Sequence, residues 1–338
     1  MPGFRLPAAL ALLASVTALA AGCGGADDTK DGSGAASGGG GGESLSLVAY
    51  STPEVVYDEI IPAFRKTSTG KGTSFKTSFG ASGEQSRAVE AGLKADVVSL
   101  SIEPDVTRLV DAGLVSKDWK AQTSTNGLVS KSIVAFIVRK GNPKHIKTWD
   151  DLLKPGVKVV TPNPFTSGAA KWNLLGAFAH GGLGYVKKLI TDHVSVQPKS
   201  GREALQTFTG GEGDVLLSYE YEATTAIKKG EKGIELVRPD STVEIEIDIA
   251  RTKSASPAAK AFIDYVLGPE GQSRFASWGY RPVDPATAER TKSQFPDPPK
   301  VTTIADLGGW SKVNDELFDP EKGAIAKIES DAGVSTAK

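Results

Sequence analysis

Ser78-Phe79-Gly80-Ala81-Ser82-Gly83-Glu84-Gln85 joins the end of a β-type run to the start of a helical one. Thr161-Pro162-Asn163-Pro164-Phe165-Thr166-Ser167-Gly168-Ala169-Ala170-Lys171-Trp172 repeats that arrangement further along. In the first stretch Ser82 stands where an N-cap would open the helix carrying Ala88, Val89 and Leu93. In the second, strand Val157 to Thr161 passes through a proline turn to Ser167-Gly168-Ala169 and a helix over Ala169 to Ala179. The first N–H groups of a helix have no partner within it and sit at the positive end of its dipole, so such starts bind anions. A glycine there lets a ligand reach the backbone. Two starts of this kind can face each other across a cleft; the same serines can equally do no more than cap their helices.

On either side of these stretches, short β-rich runs alternate with helical patterns. Strands are expected at Leu45 to Tyr50, Ser74 to Ser78, Asp96 to Leu100, Ile133 to Val138, Val157 to Thr161 and Asp214 to Ser218. Helices are expected at Val55 to Lys66, Glu84 to Leu93, Pro104 to Ala112, Ala169 to Ala179, Tyr185 to Thr191, Ala223 to Lys229, Ala258 to Leu267 and Pro269 to Trp278. Strands alternating with helices of this length argue for parallel α/β architecture.

The first residues read differently. Arg5 precedes an apolar run from Leu6 to Ala21 that ends in Ala20-Ala21-Gly22-Cys23, too short to span a bilayer comfortably and suited to an export signal. Cys23, the single cysteine of 338 residues, stands where a bacterial lipoprotein signal needs its thiol, in a lipobox-like Leu19 to Cys23 whose Leu lies one place early. Gly, Ser, Ala and Asp then dominate through Gly42, a composition without the apolar surface to offset ordering, so 24–43 reads as a flexible tether. Lys and Arg number 39 against 40 Asp and Glu, giving a net charge of −1. No basic tract points to nucleic acid, and membrane contact is expected only through lipid on Cys23.

Catalytic signatures are weak. His145, His180 and His193 are scattered. Gly80-Ala81-Ser82-Gly83 is not the nucleophile elbow of hydrolases, no phosphate loop is present, and no His or Cys pair has metal-ligand spacing. The chain is therefore expected to be no enzyme and to need neither cofactor nor metal.

Gly83-Glu84-Gln85-Ser86-Arg87-Ala88-Val89, Ala95-Asp96-Val97-Val98, Val138-Arg139-Lys140-Gly141-Asn142-Pro143, Thr161-Pro162-Asn163-Pro164, Gly213-Asp214-Val215-Leu216, Pro269-Glu270-Gly271-Gln272 and Tyr280-Arg281-Pro282, taken in order, resemble the periplasmic sulfate-binding proteins of sulfate and thiosulfate ABC importers. The resemblance runs from Tyr50 to about Trp310. It implies the two-lobed periplasmic-binding-protein fold of type II, with lobe one at 44–129 plus 245–338, lobe two at 130–244, and the anion buried between them. It also implies a monomer that hands its ligand to a membrane permease. The family's ligand contacts carry over to Ser82, to Ser167, Gly168 and Ala169, to Gly201 and to Tyr219. Its Asp in the first strand-to-helix loop falls on Ser51, and its Trp on Tyr219, whose hydroxyl can accept as well as donate. Donors without a carboxylate at the contact positions favour sulfate, which carries no proton, over phosphate. Thiosulfate, molybdate and phosphate stay open as ligands, and an anchored hydrolase using Ser82 or Ser167 would require a His or Lys base beside the serine.

Overall fold

The computed structural model describes Thr29–Asp31 and residues 43–336. The expected signal and Cys23 lie outside the described residues. In chain order the elements begin with β1 Thr29–Asp31, β2 Ser44–Tyr50, α1 Glu54–Phe64, β3 Ser74–Gly80, α2 Ser82–Glu90, β4 Val97–Leu100, α3 Glu103–Asp111 and β5 Leu128–Arg139. There follow β6 Val159–Val160, α4 Gly168–Lys188, β7 Val194–Val196, α5 Gly201–Thr209, β8 Val215–Tyr219, α6 Glu220–Lys228, β9 Ile234–Val237 and β10 Ser241–Arg251. Helices α7 Pro257–Leu267, α8 Pro269–Ser277 and α9 Pro285–Thr291 lead through β11 Lys300–Thr302 to α10 Gly309–Val313 and α11 Ala324–Asp331.

The strands form one curled path in the order β1-β3-β2-β4-β10-β5-β8-β6-β7, with β9 on β5 and β11 on β10. At one end β2 pairs in parallel with β3 and β4; at the other β6 pairs in parallel with β7 and β8. The expected all-parallel pattern fails in the middle, where β5 runs antiparallel to both β10 and β8. Leu128 to Ile133 of β5 pair with β10 and Val134 to Val138 with β8, so one strand feeds both halves.

Each half is a sheet covered on both faces, which is why its strands read as near-continuous apolar runs. In β2, Leu45, Leu47 and Ala49 join the main core while Val48 turns to a second cluster with Val98, Leu100, Val106 and Leu109. In the other half, Ile137, Val160 and Leu216 meet Ala204 and Phe208 of α5 and Ala223 of α6. The two helices expected after Thr161 are one element broken at Gly182, whose φ of 68° only glycine adopts readily.

Two segments depart from simple expectation. Within the stretch read as a tether, Thr29–Asp31 pair antiparallel with Lys76 to Ser78 at the sheet edge. The C-terminal segment packs on α4: Trp310 meets Trp172 with ring centroids 4.7 Å apart, and Lys171 Nζ donates to Asn314 Oδ1 at 2.8 Å. Further on, Gln197 Nε2 donates to the buried Glu329 of α11 at 2.8 Å.

Candidate anion site

Open α/β sheets present ligands at the carboxyl ends of their parallel strands. Here those ends carry Ser51 after β2, Ser82 after β3, Ser101 after β4, Ser167 to Ala169 after β6, Gly201 after β7 and Tyr219 at the end of β8. All of these residues are buried.

Ser82 is not the cap it was expected to be. Ala81, extended at φ −61° and ψ 132°, is the N-cap of α2, and Ser82 is already the first helical residue. Its hydroxyl donates to Asp105 Oδ2 at 2.6 Å and accepts the Ser101 N–H at 3.0 Å, tying the starts of α2 and α3 to the end of β4. Burial pushes the Asp105 carboxyl up from its ordinary value, opposed by the Ser82 hydrogen bond and by the charges of Lys171, Arg108 and Arg87.

The two Ser-Gly stretches meet. Gly83 N–H donates to the Thr166 carbonyl at 3.2 Å, and a Cβ on Gly83 would stand 3.1 Å from that oxygen. Asn163 shapes the loop before α4: its carbonyl accepts the Ser167 N–H at 2.9 Å and its Oδ1 the Phe165 N–H at 2.7 Å. Ser167 is the N-cap of α4 but makes no side-chain capping bond, so its hydroxyl is not spent on its own helix. A Cβ on Gly168 would come within 2.2 Å of Ser101 Oγ, and Trp172 Nε1 donates to the Ser101 carbonyl at 2.8 Å. A cavity of about 120 Å³ opens beside this junction, reached by Gly83, Asp105, Ser167, Gly168 and Lys171.

Gly201 opens α5, whose cap Ser200 accepts the Glu203 N–H at 3.2 Å. Arg202 reaches back across the cleft to the Ser51 carbonyl and, at 2.7 Å, to Glu54. A Cβ on Gly201 would lie 3.2 Å from Glu222 Oε1 and 3.6 Å from Thr52 Cγ2. Glu222 accepts the Ser218 hydroxyl, and burial raises its pKa to about 8 despite nearby Arg202. Tyr219 is the N-cap of α6, fully buried, edge-on to Tyr50 at 6.4 Å, and its hydroxyl has no hydrogen-bond partner. The adjacent Glu220 is neutralised by Arg238 at 2.5 Å and Arg281 at 2.8 Å.

The structure thus gathers Ser82, Gly168 and Tyr219 around Ser101, sets Ser167 beside Gly83 at the adjoining cavity, and links Ser51 with Gly201 through Thr52 and Arg202. Ala169 is the second residue of α4. The sequence reading missed Ser101 and Asp105. Ser101 was legible as the residue after the strand Val97–Leu100, at a position where ligands gather. Among the described residues no cluster of His, Cys, Asp or Glu could hold a metal ion, and no helix is long and apolar enough to cross a membrane.

A family model described as bacterial extracellular solute-binding protein matches residues 45–281. The chain belongs to that family. A sulfate-binding protein of Synechococcus elongatus is 38% identical over 93% of this chain and 93% of its own length, and one of Escherichia coli 34% identical over 80% and 88%. A thiosulfate-binding protein of Pseudomonas aeruginosa is 35% identical over 82% of this chain and 89% of its own. The solved sulfate-binding protein SubI of Mycobacterium tuberculosis superposes with a TM-score of 0.79 at 46% identity, covering 82% of this chain and all of its own. The fold is accordingly the two-lobed one of periplasmic binding proteins, and the family places the working protein outside the cytoplasm.

Proposed function

We propose that this solute-binding protein captures sulfate outside the cytoplasm and delivers it to the membrane permease of an ABC importer. The relatives named for sulfate binding support the ligand class. The observation in the site that carries it is the buried, unpartnered Tyr219 hydroxyl at the start of α6, beside Ser101 at the end of β4. Ser82, through its backbone N–H because its hydroxyl is directed to Asp105, and Ser167, Gly168, Ala169, Gly201, Ser51 and Tyr219 are the proposed contacts. Two of the site's flanking cations are already engaged, Arg202 by Glu54 and Arg281 by Glu220. Helix starts and hydroxyls would therefore replace the water of the dianion, each charge-assisted bond contributing about 1.5–3 kcal/mol.

The lobes are proposed to divide at 44–129 plus 245–338 against 130–244, with the crossings in β5 and β10. The C-terminal segment after β11 would bridge the two, given its packing on α4. Lipid on Cys23 is proposed to hold the protein, as a monomer, at the membrane. A role in binding without catalysis is supported by where the candidate bases are engaged: His193 Nδ1 meets the Val157 carbonyl at 3.1 Å, His180 Nε2 meets Asp150 at 3.0 Å, and Lys171, which shares a cavity with Ser167, donates to Asn314 Oδ1 at 2.8 Å, while Ser82 faces Asp105.

A thermal-shift panel of sulfate, thiosulfate, molybdate and phosphate tests the ligand. Sulfate should raise the melting temperature most; a larger shift with thiosulfate would reassign the ligand in line with the thiosulfate-binding relatives, and no shift with any of the four would remove the proposal.

A further inference from the structure

We propose that the Ser101 hydroxyl is itself a ligand of the anion, offered from the end of β4 opposite Tyr219; this rests on the anion-binding reading above. Ser101 is 1% exposed and its backbone is clamped on both sides, the N–H on Ser82 Oγ at 3.0 Å and the carbonyl under Trp172 Nε1 at 2.8 Å. Its hydroxyl nevertheless has no hydrogen-bond partner. The Tyr219 hydroxyl is its neighbour, near enough for the Ser101 hydroxyl to act on the phenol as a hydrogen-bond donor, but the two do not close a bond of ordinary geometry and neither has another partner. Leaving a buried hydroxyl unpaired is costly, and what sets this pair apart from other buried hydroxyls of the fold is the helix start it stands against.

That position says what would complete the pair. Ser101 Oγ stands 2.2 Å from where a Cβ on Gly168 would be, against the first turn of α4, whose N–H groups lack intrahelical acceptors. Hydroxyls able to rotate toward a helix start suit an oxygen-rich anion, which accepts from both. Ser82 makes the contrast plain, because its single proton is directed to Asp105 while that of Ser101 is unspent.

Ser99 supplies the control. It lies on β4, two residues earlier, is fully buried and is likewise unpartnered beside an unpartnered phenol, but that phenol, Tyr57 of α1, packs among Phe79, Phe262 and Phe275 and not at a helix start. In sulfate titrations of the whole mature chain, Ser101→Ala should lose about ten- to hundredfold in affinity, with the unliganded melting temperature unchanged or raised. Ser101→Cys, which keeps the shape but offers a weak donor, should lose affinity as well, and Ser99→Ala should lose none. Unchanged sulfate affinity in both Ser101 variants overturns the inference and leaves the site reading standing. Failure of the wild-type chain to bind sulfate overturns the site reading instead.

Discussion

Ser82 shows what a single residue costs when its role is misread. A cap would be worth about 0.5–2 kcal/mol, whereas this hydroxyl sits between the Asp105 carboxylate and the Ser101 N–H. Ser82→Ala should therefore lower unliganded stability by about 1–3 kcal/mol through those two buried groups left unpaired, and weaken sulfate binding only through the displacement of Ser101, because the Ser82 proton is already spent on Asp105. Denaturant unfolding and sulfate titration on the same variant separate the two effects; unchanged stability would show that Asp105 and Ser101 find other partners. The serine itself was legible, because strand, Gly, Ser and helix follow one another along the chain. Asp105 was not, since nothing in Glu103-Pro104-Asp105 indicates that α3 turns this carboxylate inward onto α2. Ser167 and Gly168 were legible for the same reason as Ser82. What the sequence could not show is that the space in front of Gly168 is filled by Ser101.

At the scale of elements, the largest omission is β10. Val243, Ile245, Ile247 and Ile249 alternate and are all fully buried, yet they are interleaved with Glu244, Glu246 and Asp248, residues that strands disfavour. Asp248 is buried as well, and burial beside Glu103 and Glu246 drives its carboxyl well up from the ordinary range. Likewise β5 begins at Leu128, before the expected Ile133, because Ser130 and Ser132 are buried despite their polarity. Another element carries a pH dependence. Burial raises Glu329 of α11 to about 7, with the Gln197 amide as its hydrogen-bond partner, and raises Glu222 of α6 to about 8. Both folded values exceed the unfolded one, so between the two the folded chain holds protons that the unfolded chain has released. Stability from these groups is complete below about pH 4.5 and is lost as pH rises through about 7 and 8. Melting temperatures should accordingly fall from about pH 5 to 9, and Glu329→Gln should flatten the lower part of that decline. A slope of the opposite sign across that range would show that other groups govern it.

For the molecule as a whole, β5 and β10 are the shared spine, and the proposed contacts come from strand ends on both sides of it. An anion held from both sides should favour closure by its differential affinity for the closed state. Small-angle scattering should then report a smaller radius of gyration with saturating sulfate than without; identical profiles would mean that the lobes are already closed or do not move. The proposed anchor has its own test, since Cys23→Ser should release the protein from membranes, and retention to the same extent would remove the lipid. Fold and family were legible because they rest on patterns repeated along the chain, while the site was legible only where its residues lie next to a helix start.

The measurement that bears most directly on the central claim is a calorimetric titration of the mature chain with sulfate, repeated with phosphate, thiosulfate and molybdate. Saturable binding of one sulfate per chain, of about micromolar affinity or tighter and stronger than for the other three anions, is the expected result. No saturable heat with sulfate, or tighter binding of phosphate, would contradict it.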